Sequence, residues 1–227
     1  MNSEVRIDLG LSGHTTAIVY PPDENARHAA ANATLVLAHG AGGGQRTPFM
    51  VDWARALAAL GIRVVTFNFL YMEQRRRMPD RAPILEACYA AVIDSVVAQR
   101  RNSPGGLFIG GKSMGGRIAT QVAAANEGLP ISGLVLLGYP LHPPGRPDKR
   151  RDAHLSSVRR PMLFVQGSRD AFGTPEELSP ILASLEPAVT VHVVEGGDHS
   201  LAAPKREKGV RPLFEEVAAW ITAISGR

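Results

Sequence analysis

Cysteine is almost missing from this chain: Cys88 stands alone among 227 residues. A single thiol can neither close an intrachain disulfide nor build a multi-cysteine metal cluster, so nothing calls for an oxidising compartment. Long apolar runs are missing too. None approaches the 18 residues of a membrane span, and Met1-Asn2-Ser3-Glu4 lacks the charged-then-apolar order of a signal peptide. A soluble cytoplasmic protein with no membrane partner is expected. Aromatics make up only 6% and the net charge is a mild +4. No basic stripe carries interleaved aromatics, so nucleic acid is not an expected partner.

What is present suits a packed domain. Hydrophobic residues reach 44% and charged ones 20%, which excludes disorder and supports a sizeable core. The 23 glycines and 17 prolines are too many for a helical bundle and fit many short connections. A length of 227 residues favours one domain over the whole of 1–227, and a monomer is the expected state.

Along the chain, strand and helix patterns alternate. Val5–Leu9 and Thr15–Tyr20 alternate apolar and polar residues as an antiparallel pair would, followed by a connecting loop over Pro21–Asn32. Leu35–Ala38, Ile62–Phe67, Leu107–Ile109, Leu134–Leu137, Met162–Val165 and Val189–Val194 are short apolar runs, as in strands buried on both faces. Between them Met50–Leu60, the segment after Pro83, Met114–Ala125, Pro175–Leu185 and a last stretch around Val217 have helical composition or spacing. This order predicts an α/β fold: a mostly parallel central sheet, an antiparallel N-terminal strand pair and helices on both faces. Tyr139–Arg160 is a Pro- and Arg-rich excursion too long for an ordinary link, and is expected to form a short lid. Ligands of such sheets bind at the carboxyl ends of the strands.

Gly111-Lys112-Ser113-Met114-Gly115 lies directly after a strand and before a helix. A serine on that sharp turn crowds the residues two before and two after it, which is why both are glycine. The turn lifts Ser113 Oγ above the sheet edge and aims the first helix amides at a developing negative charge. Gly106 to Ser113 also spells the phosphate-binding pattern G-x-x-x-x-G-K-S, but its strand should precede the first glycine. Here the polar stretch Arg100–Gly105 stands there, and the nominal loop residues Leu107, Phe108 and Ile109 are themselves the strand.

A serine nucleophile needs a base and the base an orienting acid, in the chain order Ser, Asp or Glu, His. Asp170 follows the strand Met162–Val165, and His199 follows Val189–Val194. Asp198 is expected as a loop cap, Asp148 and Asp152 lie inside the excursion, His192 is mid-strand, and His142 and His154 read as solvated loop residues. His39-Gly40-Ala41-Gly42-Gly43-Gly44, after Leu35–Ala38, allows a backbone amide close to a reacting carbonyl. Ala41 and Met114 are the expected oxyanion donors, with Gly40 in reserve and His39 orienting the loop.

Together these motifs resemble the α/β-hydrolase superfamily, over nearly the whole chain. Gly-Lys-Ser-Met-Gly-Gly-Arg (111–117) and Gly138–Gly145 look like a branch of small bacterial hydrolases related to dienelactone-hydrolase-type enzymes and to a subunit of a histone-acetyltransferase complex. The resemblance implies a serine hydrolase, a carboxylesterase on small acyl esters, needing no cofactor or metal. Dienelactone hydrolases carry cysteine as nucleophile where this chain has Ser113. A non-catalytic scaffold on the same fold and a nucleotide binder are the alternative readings.

Loop 68–82 has a net charge of +2 and segment 139–160 of +4, against +4 for the chain. A positive rim that steers anionic esters toward Ser113 is therefore expected.

Overall fold

The computed structural model describes residues 2–23, 25–26, 33–100, 105–187, 189–202 and 213–226. Part of the expected loop 21–32, at residues 24 and 27–32, and residues 101–104 of the polar stretch before the serine strand lie outside these. The strands are β1 (Ser3–Asp8), β2 (His14–Tyr20), β3 (Thr34–Ala38), β4 (Arg63–Phe67), β5 (Leu107–Lys112), β6 (Gly133–Leu137), β7 (Met162–Gly167) and β8 (Thr190–Val194). The helices are α1 (Pro48–Ala59), α2 (Leu70–Glu73), α3 (Ala82–Gln99), α4 (Met114–Ala125), α5 (Pro175–Leu182) and α6 (Leu213–Ser225).

One sheet holds all eight strands in the order β1-β2-β4-β3-β5-β6-β7-β8. β1 runs antiparallel to β2 and β2 to β4, and every other pairing is parallel. Alternate side chains of the central strands feed two cores. Leu35, Leu37, Phe108, Val135 and Leu137 face α1 and α6, whereas Val36, Ala38, Ile109, Leu134 and Leu136 face α3, α4 and α5. With both faces covered, these strands carry continuous apolar runs.

α3 has 18 residues and is long and apolar enough by length and composition to cross a membrane. Glu86 and Asp94 interrupt it, and its Leu85, Tyr89, Val92, Ile93 and Val96 stripe is buried in the core against the sheet.

From β3 the chain steps outward to β4 and then returns to place β5 on the other side of β3. α1 and α4, which follow β3 and β5, lie on opposite faces of the sheet, the switch point whose strand ends form the ligand crevice of such folds. The His39–Gly44 loop and Ser113 flank that crevice.

The excursion 139–160 is anchored by buried Tyr139, Leu141, His142, Leu155 and Val158, leaving residues 144–150 exposed. His142 and His154 are not the solvated residues expected from sequence. His142 is buried, with its imidazole against Glu177 at 3.2 Å and the Pro143 carbonyl at 2.9 Å. His154 lies 2.8 Å from Thr120 Oγ1 on α4. Both are drawn in because the segment folds back onto α4 and α5. Arg159 and Arg160 also depart from expectation. They lie at the amino edge, where the chain must return to enter β7 in parallel. There Arg159 meets Glu127 at 3.9 Å and Arg160 donates to the Glu127 and Leu129 carbonyls.

Candidate functional site

Ser113 caps α4 with φ 51° and ψ −118°, a left-handed conformation that a side-chain-bearing residue rarely adopts. The close packing around it requires its glycines. A Cβ on Gly111 would stand 2.5 Å from the Ala38 carbonyl oxygen, and one on Gly115 would stand 2.4 Å from the same atom. Only bare backbone lets β5, β3 and the first turn of α4 approach this closely.

His199 lies on the turn after β8. Its Nε2 is 2.8 Å from Ser113 Oγ, and its Nδ1 is 2.9 and 2.8 Å from the two oxygens of Asp170. Because a carboxylate only accepts, the Asp170 contact assigns the proton to Nδ1 and leaves the Nε2 lone pair facing the hydroxyl. The three residues expected from sequence are thus joined in one hydrogen-bonded chain. Asp170 is buried and also accepts from the Phe172 amide at 2.8 Å and from Gln166 Nε2 at 2.9 Å. The Arg169 amide donates to the Gly197 carbonyl at 2.9 Å, tying the turn that carries Asp170 to the one that carries His199.

Asp198 takes the capping part. It accepts from both the amide and the hydroxyl of Ser200, and these bonds hold its carboxyl below the ordinary carboxylate range. His192 stays on β8, and Asp148 and Asp152 pair with Arg146 and Arg150.

On the other side of the crevice, His39 is buried, with Nδ1 2.8 Å from the Gly40 carbonyl and Nε2 accepting from the Phe69 amide at 3.1 Å. Burial pushes its pKa down to about 4, so the ring is neutral and clamps its own loop to the entry of α2. Gly40 packs toward Ser113: a Cβ there would lie 3.5 Å from Ser113 Cβ. Among the described residues, neither the Ala41 nor the Met114 amide donates a hydrogen bond.

Three supporting residues escaped the sequence reading. Gln166, buried at the end of an otherwise apolar strand, bonds Asp170 and the Gly173 carbonyl through Nε2 and the Tyr139 amide through Oε1. A lone amide side chain inside Met162–Gly167 was the available signal. Tyr89 on α3 places its hydroxyl 2.9 Å from the Val36 carbonyl and 2.6 Å from that of Gly110, joining β3 and β5 below the serine turn. Phe172 stacks on the His199 ring at 4.0 Å and 27°. Nothing in the sequence singled out either aromatic. No cluster of three metal-ligating side chains occurs among the described residues.

Six cations in the two loop segments, Arg75, Arg77, Arg81, Lys149, Arg151 and Arg160, have no ion-pair partner among the described residues. Arg76 pairs with Asp80 at 2.6 Å. With Arg159 and Arg160 at the opposite edge, the two segments carry a net +4 near the crevice rather than +6.

Solved structures with this architecture include a serine hydrolase of Xanthomonas campestris described as lacking a lid, at 23% identity and TM-score 0.74, covering 98% of this chain and 93% of that one. A dienelactone hydrolase of Anabaena variabilis matches at 17% identity and TM-score 0.72, with 98% and 95% covered. Est1E of Butyrivibrio proteoclasticus matches at 15% and 0.70, with 97% and 96% covered. The family profile of an alpha/beta hydrolase domain spans residues 31–223. With the sheet order and that match agreeing, the chain belongs to the α/β-hydrolase family.

Proposed function

We propose that the protein is a carboxylesterase acting on small acyl esters, with Ser113 as nucleophile, His199 as general base and acid, and Asp170 as the orienting carboxylate. The observation that carries this reading is the 2.8 Å contact between His199 Nε2 and Ser113 Oγ, made while Nδ1 is held by a buried carboxylate. In acylation Ser113 Oγ bonds to the acyl carbon as its proton passes to Nε2. The oxyanion then lies against the Met114 and Ala41 amides, each such donor contributing about 3–4 kcal/mol to the transition state. Collapse breaks the ester C–O bond, and the departing alkoxide takes the proton from Nε2 and leaves as alcohol. Water then attacks the acyl-enzyme, giving its proton to Nε2. Collapse of this second intermediate returns that proton to Ser113 and releases the acid. No step needs a metal or cofactor. Asp170 keeps the proton on Nδ1 and stabilises the imidazolium in both halves.

The unpaired cations of loop 68–82 and of segment 139–160 support a preference for anionic esters, with the exposed stretch 144–150 as the part of the excursion able to cover substrate. The free protein is monomeric and cytoplasmic in this reading.

The test is an acyl-chain series of p-nitrophenyl esters run beside Ser113→Ala and Asp170→Asn. The first variant is expected to be inactive and the second to lose roughly 10⁴ in kcat. Turnover that survives in Ser113→Ala would end the proposal. For the anionic preference, kcat/KM of a carboxylated ester should exceed that of its neutral isostere at low salt, and the advantage should fade as salt rises.

A further inference from the structure

Lys112 closes β5 and immediately precedes Ser113, yet its side chain reaches the turn that carries His199. Its Nζ donates to the backbone carbonyl of His199 and lies 5.6 Å from the centre of the Phe49 ring. An ammonium is strongly hydrated, and removing it from water costs free energy unless partners replace the solvent. Here one carbonyl touches it, and the carboxylates of Asp170 and Asp198 attract it. Space is kept for it as well. A Cβ on Gly138, itself at φ 64°, would stand 2.8 Å from Nζ, 3.0 Å from the His199 carbonyl oxygen and 3.5 Å from His199 Nδ1.

We propose that Lys112 is a positioning residue whose ammonium ties the His199 backbone to the end of β5 and so holds the imidazole against Ser113. The inference rests on the reading of Ser113 and His199 as nucleophile and base. One residue then fixes both partners of the proton transfer: its backbone leads into the serine turn, and its side chain grips the histidine turn. Among the described residues, the charged and titratable groups facing the ammonium are Asp170 on the turn after β7 and Asp198 and His199 on the turn after β8; α1 presents the Phe49 ring. Burial lowers the lysine to about 8, with the two aspartates opposing that shift. The protonated amine is the stronger donor and the form those carboxylates attract, so the hold weakens as pH rises through about 8.

The experiment compares pH profiles of kcat and KM for ester hydrolysis in the wild type, Lys112→Met, and Lys112→Cys before and after alkylation with bromoethylamine. Alkylation rebuilds a lysine-length side chain with a sulfur in it. Cys88 is buried and its thiol is pushed up to about 12, so it does not compete for the reagent. The wild type should lose activity above about pH 8. Lys112→Met should lose about ten- to a hundred-fold in kcat with little change in KM and no alkaline limb, the scale of one buried hydrogen bond from a charged group. Alkylated Lys112→Cys should regain kcat, and its alkaline limb should move to lower pH because the sulfur makes the amine less basic. Wild-type kcat in Lys112→Met, an unchanged alkaline limb there, or no recovery after alkylation would overturn the proposal. Fluorophosphonate labelling of the wild type separates this failure from that of the underlying reading. Labelling at Ser113 with an unaffected Lys112→Met removes only the lysine's role, whereas an unlabelled Ser113 removes the site itself.

Discussion

Replacing Gln166 by glutamate swaps one NH₂ group for an oxygen in a site that cannot tolerate the change. Gln166 Nε2 has three acceptors around it: Asp170 Oδ2 at 2.9 Å, the Gly173 carbonyl at 2.7 Å and the Tyr139 carbonyl at 3.3 Å. In Gln166→Glu, Oε1 can still accept from the Tyr139 amide, but the second oxygen faces only acceptors, one of them charged. The protonated carboxyl can donate to one of them; the ionised form can donate to none and repels Asp170. The folded state therefore holds its proton well above the ordinary glutamate pKa of about 4.3. A group whose folded pKa is raised is fully compatible with the fold below its unfolded pKa and becomes costly as pH rises toward the folded one. If the proton is retained to pH 7, the variant loses about 3 kcal/mol more, relative to wild type, at pH 7 than at pH 5. Urea unfolding of both proteins at the two pH values measures this. Gln166→Leu loses the same hydrogen bonds without adding a carboxyl and should show no such pH-dependent difference. An equal gap between Gln166→Glu and wild type at both pH values would refute the account of this network.

Two further predictions concern the His39 loop and the serine turn. His39 is neutral in the fold with a pKa of about 4 against an ordinary 6.5, so the unfolded chain binds the extra proton in that window. Stability is then lost as pH falls from 6.5 to 4, by about 3 kcal/mol from this residue, and His39→Gln should remove that part of the acid slope in urea titrations. Gly115→Ala puts a methyl 2.4 Å from the Ala38 carbonyl oxygen, a backbone atom with nowhere to go. It should cost about 3 kcal/mol or more, lowering Tm by roughly 6–12 °C in calorimetry.

The readable parts of the molecule are those whose physics is local. Met114–Ala125 emerges with the bounds its composition implies, and the doubly buried strands are plain because both faces of the sheet must be apolar. β5 runs three residues beyond its apolar part, through Gly110, Gly111 and Lys112, because pairing with β3 and β6 overrides the poor strand propensity of glycine. α2, four residues long, carries too little periodicity to be visible. The positions of Ser113, Asp170 and His199 follow from strand ends and chain order, whereas Gln166, Tyr89 and Phe172 act across the sheet, where sequence spacing carries no information. Arg159 and Arg160 lie away from the crevice for a topological reason. A charge sum over the whole of 139–160 hides that a parallel strand must be entered from the edge opposite the crevice. His142 and His154 lie in a polar, proline-rich stretch, and only the docking of that stretch onto α4 and α5 buries them.

The most direct measurement is a fluorophosphonate reaction followed by peptide mass spectrometry, on the wild type, Ser113→Ala and His199→Asn. The account predicts a covalent adduct on Ser113 in the wild type, none at that position in Ser113→Ala, and a strongly slowed reaction in His199→Asn. A wild-type protein that leaves Ser113 unmodified, or one that reacts equally fast without His199, would contradict it.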